Sequence, residues 1–287
     1  MKLSPALLQS LARSKLLVRR AKATVGVGER RSQAKGSGME FLDYRAYEPG
    51  DDLRYLDAHV FARTGAYFVR RHALYQQLPI TIIVDGSASM NFGSPTKFDF
   101  ARGLASALAF VGLAGGDAVQ AAVFAGGRLH WLPWMRGIQR APLVFDWFDR
   151  HRPGGSGFGR ALADALPRIG HRGLLILLSD WWLDHDVQSM SWPRAEIVAV
   201  HVPTTEELDP AKCGGGRTRF VDAESGHEIE LSVDEGVLHA YTTALRNWQE
   251  RLRTQMSYHH GRYFLVPTDT KLEHLLLKDW RRAGFIQ

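Results

Sequence analysis

The sequence predicts an α/β fold, a doubly wound and mostly parallel sheet, on three observations. Ile80-Thr-Ile-Ile-Val84 and Leu174-Leu-Ile-Leu-Leu178 are short, continuous apolar runs rich in branched side chains, the pattern of strands buried on both faces. Each run ends abruptly in oxygen-bearing residues, Asp85-Gly-Ser-Ala-Ser89 after the first and Ser179-Asp180 after the second. Helical patterns alternate with the strand signals along most of the chain.

Taken in order, residues 4–22 set Leu7, Leu8, Leu11, Ala12 and Leu16 on one helical face. Lys15, Arg19, Arg20 and Lys22 crowd its end, where cations suit the helix dipole. Residues 24–38 mix four glycines with Arg30, Arg31 and Lys35 and show no period, so they read as a loop. This loop lacks the Gly-Lys-Ser/Thr ending of a phosphate-binding loop. Pro49-Gly50 marks a turn, with Asp51 or Asp52 placed to cap a short helix. Arg45, Arg54 and Arg63 among Asp51, Asp52 and Asp57 suit either a partly buried ionic network or ordinary surface pairs.

Residues 97–113 read as a helix whose Ala101, Ala105, Ala107 and Ala109 permit close approach to a sheet. Strand patterns at 117–124 and 128–131 flank Ala125-Gly-Gly127, a hairpin signal. Helical patterns at 138–150 and 158–169 bracket the loop Pro153-Gly-Gly-Ser-Gly157, and a short helix at 183–190 precedes a strand at 196–201. An inserted hairpin is expected near 209–231, followed by a helix at 234–256, a strand at 262–266 and a helix at 271–283. The expected division is a basic amino-terminal extension, 1–78, packing on a main domain, 79–287.

Composition narrows the function classes. With 287 residues, 45% of them hydrophobic, the chain is long enough for one large α/β domain with additions. A single cysteine, Cys213, excludes an internal disulfide framework and a multi-cysteine zinc site and points to a reducing, cytoplasmic compartment. No apolar run is long enough to span a bilayer. The net charge of +6 is uneven: residues 1–72 hold 14 Lys or Arg against 7 Asp or Glu. That excess offers a surface to nucleic acid, anionic lipid or an acidic protein, but no nucleic-acid reading motif accompanies it and none is expected to bind.

Asp85, Ser87 and Ser89 alternate at the carboxyl end of a core strand, where open parallel sheets bind ligands. One carboxylate and two hydroxyls are hard oxygen donors, suited to Mg²⁺ or Mn²⁺. Taken singly they read equally as a helix cap and turn formers. The spacing Asp-x-Ser-x-Ser after a buried strand resembles the metal-ion-dependent adhesion site of von Willebrand factor A domains. That family completes its site with a Thr or Ser from a second loop and an Asp at the end of a fourth strand. The resemblance implies these roles for Ser156 and Asp180.

A second motif precedes the first. Glu40-Phe-x-x-x-Arg45-x-Tyr47-x-x-Gly50-Asp-Asp-x-Arg54, then Ala62-Arg-Thr-Gly65, then a strand into Asp-x-Ser-x-Ser-Met90, resembles the bacterial family called domain of unknown function fifty-eight. The match covers most of residues 36–205. It implies a von Willebrand factor A-like, Rossmann-like fold and a non-enzymatic, metal-dependent interaction module. It also implies a partnership with a MoxR-type AAA+ ATPase in assembling or maturing a protein complex. An acidic residue of a protein ligand would complete the metal shell. Ala58 stands where that family usually has Trp, and Arg71, His72, Gln76 and Gln77 stand where it often has acids.

Two alternatives compete. One is a serine hydrolase with Ser87 as nucleophile, Asp180 as orienting acid and His201 or His259 as base, but Asp85 and Ser89 occupy the glycine positions of the Gly-x-Ser-x-Gly elbow. The other is nucleic-acid binding through the basic amino-terminal segment. Trp181 and Trp182, beside the candidate site, read as contact surface or as core.

Overall fold

The computed structural model describes residues 3–18, 39–74, 77–170, 172–213 and 216–287. The chain divides into two compact units, one of residues 26–77 and one formed by Met1–Val25 with Leu78–Gln287. The expected extension, 1–78, is thereby split, because Leu7, Leu11 and Leu16 are buried in the main unit's core. The expected basic loop over 24–38 lies outside the described residues.

In the smaller unit, β1 (Met39–Ala46) pairs antiparallel with β2 (Phe68–Leu74). Between them lies α2 (Ala58–Thr64), capped by Asp57, whose Oδ1 accepts from His59 N and Val60 N while its Oδ2 accepts from Tyr44 Oη at 2.7 Å. Among the described residues, Arg45 pairs with Asp51 at 2.7 Å and with Glu48 at 3.2 Å, and Arg54 with Asp52 at 2.6 Å. Arg54 and Arg63 are exposed, while Asp57 is buried and caps α2.

The main unit is built on a six-stranded sheet. Its strands are β3 (Pro79–Val84), β4 (Ala118–Ala125), β5 (Arg128–Arg136), β6 (Leu174–Ser179), β7 (Glu196–His201) and β10 (Arg262–Leu265). Their spatial order is β10-β7-β6-β3-β4-β5, parallel throughout except for β5, which returns antiparallel to β4 through the left-handed Gly126-Gly127 turn. From β3 the chain builds β4 and β5 on one side, then crosses to place β6 on the other side of β3. The switch of strand order therefore falls between β3 and β6, paired from Ile80↔Leu174 to Val84↔Leu178.

Alternate side chains feed opposite faces, as the two-residue strand period requires. Ile80, Ile82, Val84, Leu174, Ile176 and Leu178 pack with α3 (Lys97–Ala114) and α4 (Ala141–Arg150). Ile83, Leu175, Leu177 and Ile197 pack with α5 (Phe158–Ala165) and with Leu252 and Met256 of α7 (Glu235–Tyr258). Helix α3 is buried almost all the way round, and its small residues explain how. A Cβ on Gly112 would stand 2.8 Å from Ile80 Cδ1 and 2.9 Å from Val119 Cγ2, so this contact requires glycine. Between β7 and α7 come α6 (Thr205–Leu208) and the exposed hairpin of β8 (Gly216–Val221) and β9 (Glu228–Val233).

The first helix is shorter than its apolar pattern suggests. α1 runs over Pro5–Leu11, capped by Ser4, and Leu16 bridges to Ile286 instead of continuing the helix. The last helical pattern likewise divides into α8 (Leu272–His274), a π turn at Leu275–Asp279 and α9 (Trp280–Arg282). One buried ion pair ties these distant segments together. Arg262 Nε donates to Glu196 Oε1 at 2.9 Å, while its two Nη atoms donate to the carbonyls of Gly284 and Leu17 at 2.8 and 3.2 Å.

Replacing Arg262 with Met removes those donors, including the one that meets the buried Glu196 carboxylate. The expected cost is about 3–5 kcal/mol, read as a lower urea midpoint with unchanged slope.

Candidate functional site

The candidate residues converge at the strand-order switch. Asp85 continues the ladder past β3, its N–H donating to Leu178 O at 2.9 Å. Its Oδ1 accepts from Ser87 N at 2.8 Å, turning the chain sharply, and its Oδ2 accepts from Ser179 Oγ at 2.6 Å. Turned back in this way, Ser87 and Ser89 bring their hydroxyl oxygens to 3.1 Å from each other. Asp180 follows β6 directly; its Oδ1 accepts from Trp182 N at 3.1 Å and its Oδ2 from Lys97 Nζ at 2.7 Å. Asp85, Ser87 and Asp180 are fully buried, Ser89 partly so.

The glycine-rich loop reaches the same place through its backbone. Gly154 N donates to Gly86 O at 2.7 Å, and Ala88 N donates to Gly155 O at 2.9 Å. Close approach is the reason for the glycines: a Cβ on Gly86 would lie 2.3 Å from Phe124 O, and one on Gly155 2.6 Å from Gly127 N. Ser156 lies in this loop with its side chain exposed. The structure thus links Asp85, Ser87 and Ser89 through their side chains, sets Asp180 at the end of the neighbouring strand, and brings in the loop of Ser156 by main chain.

Two acids at neighbouring strand ends in a water-poor setting have consequences for charge. Burial, reinforced by the charge of Asp180, pushes the Asp85 carboxyl up to about 7. Asp180 is compensated by Lys97, whose ammonium also donates to Glu207 Oε1 at 2.6 Å. Burial by itself depresses the Lys97 ammonium, but Asp180 and Glu207 outweigh it and hold the group above its ordinary value. Glu207 is fixed in turn by a capping box at α6: Thr204 N donates to its Oε2 at 2.7 Å and Glu207 N to Thr204 Oγ1 at 3.2 Å.

Lys97, Ser179 and Glu207 were not singled out by sequence reasoning. A lysine at the first turn of a helix is electrostatically misplaced, and that misfit was the available signal. Thr204-x-x-Glu207 was a legible capping pattern.

The serine-hydrolase arrangement is not assembled. Ser87 Oγ bonds Ser89 Oγ, Asp180 is held by Lys97, and His201 Nδ1 pairs with Tyr263 Oη at 2.7 Å. Burial drives the His201 imidazole down to about 3, so it stays neutral there, while His259 faces Gln255 and Trp192. The tryptophan pair divides between the two readings. Trp181 is buried in a left-handed conformation (φ 64°), its Nε1 donating to Val200 O at 3.2 Å. Trp182 is 44% exposed and stacks on Trp248, ring centroids 4.4 Å apart.

The donor set fits Mg²⁺ or Mn²⁺. Adjacent oxygens around a six-coordinate ion of this size stand about 3.0 Å apart, close to the Ser87–Ser89 separation. Among the described residues no group of three or more His, Cys, Asp or Glu side chains is placed to hold a metal, so such a site here depends on the serine hydroxyls.

Comparison with known proteins places this site in context. The family described as "Protein of unknown function DUF58" matches residues 43–251. Uncharacterized protein Rv1480 of Mycobacterium tuberculosis and uncharacterized protein Mb1516 of Mycobacterium bovis are each 31% identical over 242 residues, covering 80% of this chain and 75% of theirs. Among solved structures, the conserved hypothetical protein BatB from Bacteroides thetaiotaomicron superposes with a TM-score of 0.41 at 15% identity, covering 72% of this chain and 98% of that one. The SpRpn10 VWA domain superposes with a TM-score of 0.38 at 12% identity, covering 69% and 92%.

The raised Asp85 carboxyl has a measurable consequence in metal-free protein. Between its unfolded value of 3.8 and about 7 the folded state holds a proton that the unfolded state has released, so stability falls as pH rises through that window and levels off above it. Asp85→Asn is expected to flatten this slope relative to wild type in urea titrations with chelator at pH 4.5, 6 and 7.5.

Proposed function

This chain belongs to the DUF58 family, and from that premise we propose that it is a protein-interaction module whose binding crevice works through Mg²⁺ or Mn²⁺. The observation that carries the reading is the pair of serine hydroxyls 3.1 Å apart beside Asp85, at the switch in strand order. Asp85, Ser87 and Ser89 would hold the ion, with Ser156 brought near on its loop. Asp180, whose Oδ2 is already neutralised by the buried Lys97 ammonium, would act on it indirectly. When bound, the ion supplies an electrophilic position that an anionic oxygen can enter.

An acidic residue of a protein partner is the natural occupant, because a carboxylate gains an ionic contact there that water does not match. Trp182, exposed and backed by Trp248, offers an aromatic platform beside the crevice for the rest of that partner. The partner system we propose is a MoxR-type AAA+ ATPase engaged in assembling or maturing a protein complex. Nucleotide chemistry falls to that ATPase, since this sequence carries no phosphate-binding loop of the Gly-Lys-Ser/Thr kind. The described residues contain no helix long and apolar enough to cross a membrane.

Calorimetric titration with Mg²⁺ and Mn²⁺ tests the metal, and Asp85→Ala is expected to abolish binding while the circular dichroism of the fold persists. In wild type, an ion present at 100 times its dissociation constant is expected to add about 2.7 kcal/mol of stability. Capture of the MoxR-type ATPase by wild type is expected to fall in EDTA and in Asp85→Ala, and to fall less in Asp180→Asn. Unchanged metal affinity in the folded Asp85→Ala protein overturns the site.

A further inference from the structure

β5 is an edge of the main sheet, and part of it is open to further pairing. The two-residue turn makes Ala125↔Arg128 a hydrogen-bonded pair, and the alternation continues through Val123↔His130 and Ala121↔Leu132. Leu129 and Trp131 therefore turn their N–H and C=O groups away from β4. Among the described residues no main-chain hydrogen bond reaches those groups from elsewhere. The next position in that alternation is Pro133, which has no N–H, and the register shifts between Val119 and Ala121. The regular open edge is thus confined to Leu129 and Trp131.

A cleft of about 440 Å³ lies along the same stretch, between β5 and α5 with the turn that follows it. Pockets that hold ligands run from about 300 to 1,000 Å³, so this one has room for side chains. Leu129, Trp131, Ala165 and Ile169 supply its apolar wall, and Trp131 is 43% exposed. Arg128 and Arg168 flank it, both exposed and neither in an ion pair among the described residues. Against these two guanidinium groups the lining sets one carboxylate, that of Asp164.

We propose that this edge and its cleft bind an extended, acidic segment of a partner protein, added as a strand beside β5. The segment's main chain pairs with Leu129 and Trp131, its alternate apolar side chains enter the cleft, and its carboxylates meet Arg128 and Arg168. Backbone pairing supplies a contact that any extended chain can make, and the cleft and the two cations select among chains. Charge favours this occupant over a second copy of the protein. β5 carries Arg128 and Arg136 and no acid, so two copies of it laid side by side bring only like charge together. None of the residues assigned to the metal crevice lines the cleft, and binding here requires no ion.

Fluorescence anisotropy with a labelled peptide of alternating valine and glutamate tests this on the full chain, in EDTA throughout. Wild type is expected to bind the peptide, and Arg128→Glu and Arg168→Glu are each expected to weaken binding about tenfold. Arg282→Glu makes the same change of charge on α9, whose Trp280 packs on Phe264 of β10 at the opposite edge, and is expected to leave binding unchanged. Amide-resolved hydrogen exchange is expected to slow at Leu129 and Trp131 in the complex, because newly paired amides are protected. A peptide that binds without protecting those amides is held by charge alone and overturns the added strand. Failure of wild type to bind, or equal binding by wild type, Arg128→Glu and Arg168→Glu, overturns the proposal. A dimer of the protein alone that protects the same two amides puts a second copy on this edge and overturns it as well.

Discussion

Two carboxylates placed at the ends of adjacent buried strands repel each other where little water screens them, and the surroundings of Asp85 and Asp180 answer that constraint. Asp180 is met by a buried ammonium: Lys97 Nζ sits between it and Glu207, 2.7 and 2.6 Å away. Asp85 is met by hydrogen bonds, from Ser179 Oγ and Ser87 N. The ammonium does further structural work, because it joins the start of α3, the end of β6 and the start of α6, three elements far apart in sequence. A lysine at the opening of a helix works against the helix dipole, and two carboxylates at hydrogen-bonding distance outweigh that cost.

Around this pair the backbone comes closer than side chains permit. Gly86 lies against Phe124 O and Gly155 against Gly127 N, so the loops after β3 and before α5 and the β4–β5 turn interlock through main-chain bonds. The hydroxyls of Ser87 and Ser89 are therefore positioned by rigid neighbours and not by their own packing. Trp181 adds to this rigidity. Its left-handed backbone is locked by two hydrogen bonds, one from its N–H to Ser179 Oγ and one from its indole to Val200 O, and that conformation aims Trp182 outward.

Much of this was legible in the sequence, for identifiable reasons. The core strands β3 and β6 announce themselves because burial on both faces leaves an unbroken apolar run. Asp-x-Ser-x-Ser was readable because a tight turn needs short polar residues in a fixed spacing. α1 was overestimated, since Leu16 keeps the helical period while its backbone pairs with Ile286, a partner 270 residues away that no local pattern reports. Lys97 and Glu207 were missed for the same reason: an ion pair spanning 110 residues leaves no periodicity.

The pairing between the two ends of the main unit bears on how the chain is made. Lys15 and Gln287 exchange backbone hydrogen bonds in both directions, each at 3.0 Å, and Leu17 N donates to Phe285 O at 2.9 Å. During vectorial synthesis the first apolar helix emerges long before its closing partners exist. Leu7, Leu11 and Leu16 share a core with α3, β3 and the segment at 285–286, so the smaller unit is translated before any of those partners exists. The segment from Phe285 to Gln287 thus acts as a latch, and complete closure of the main unit waits until that segment has been synthesised.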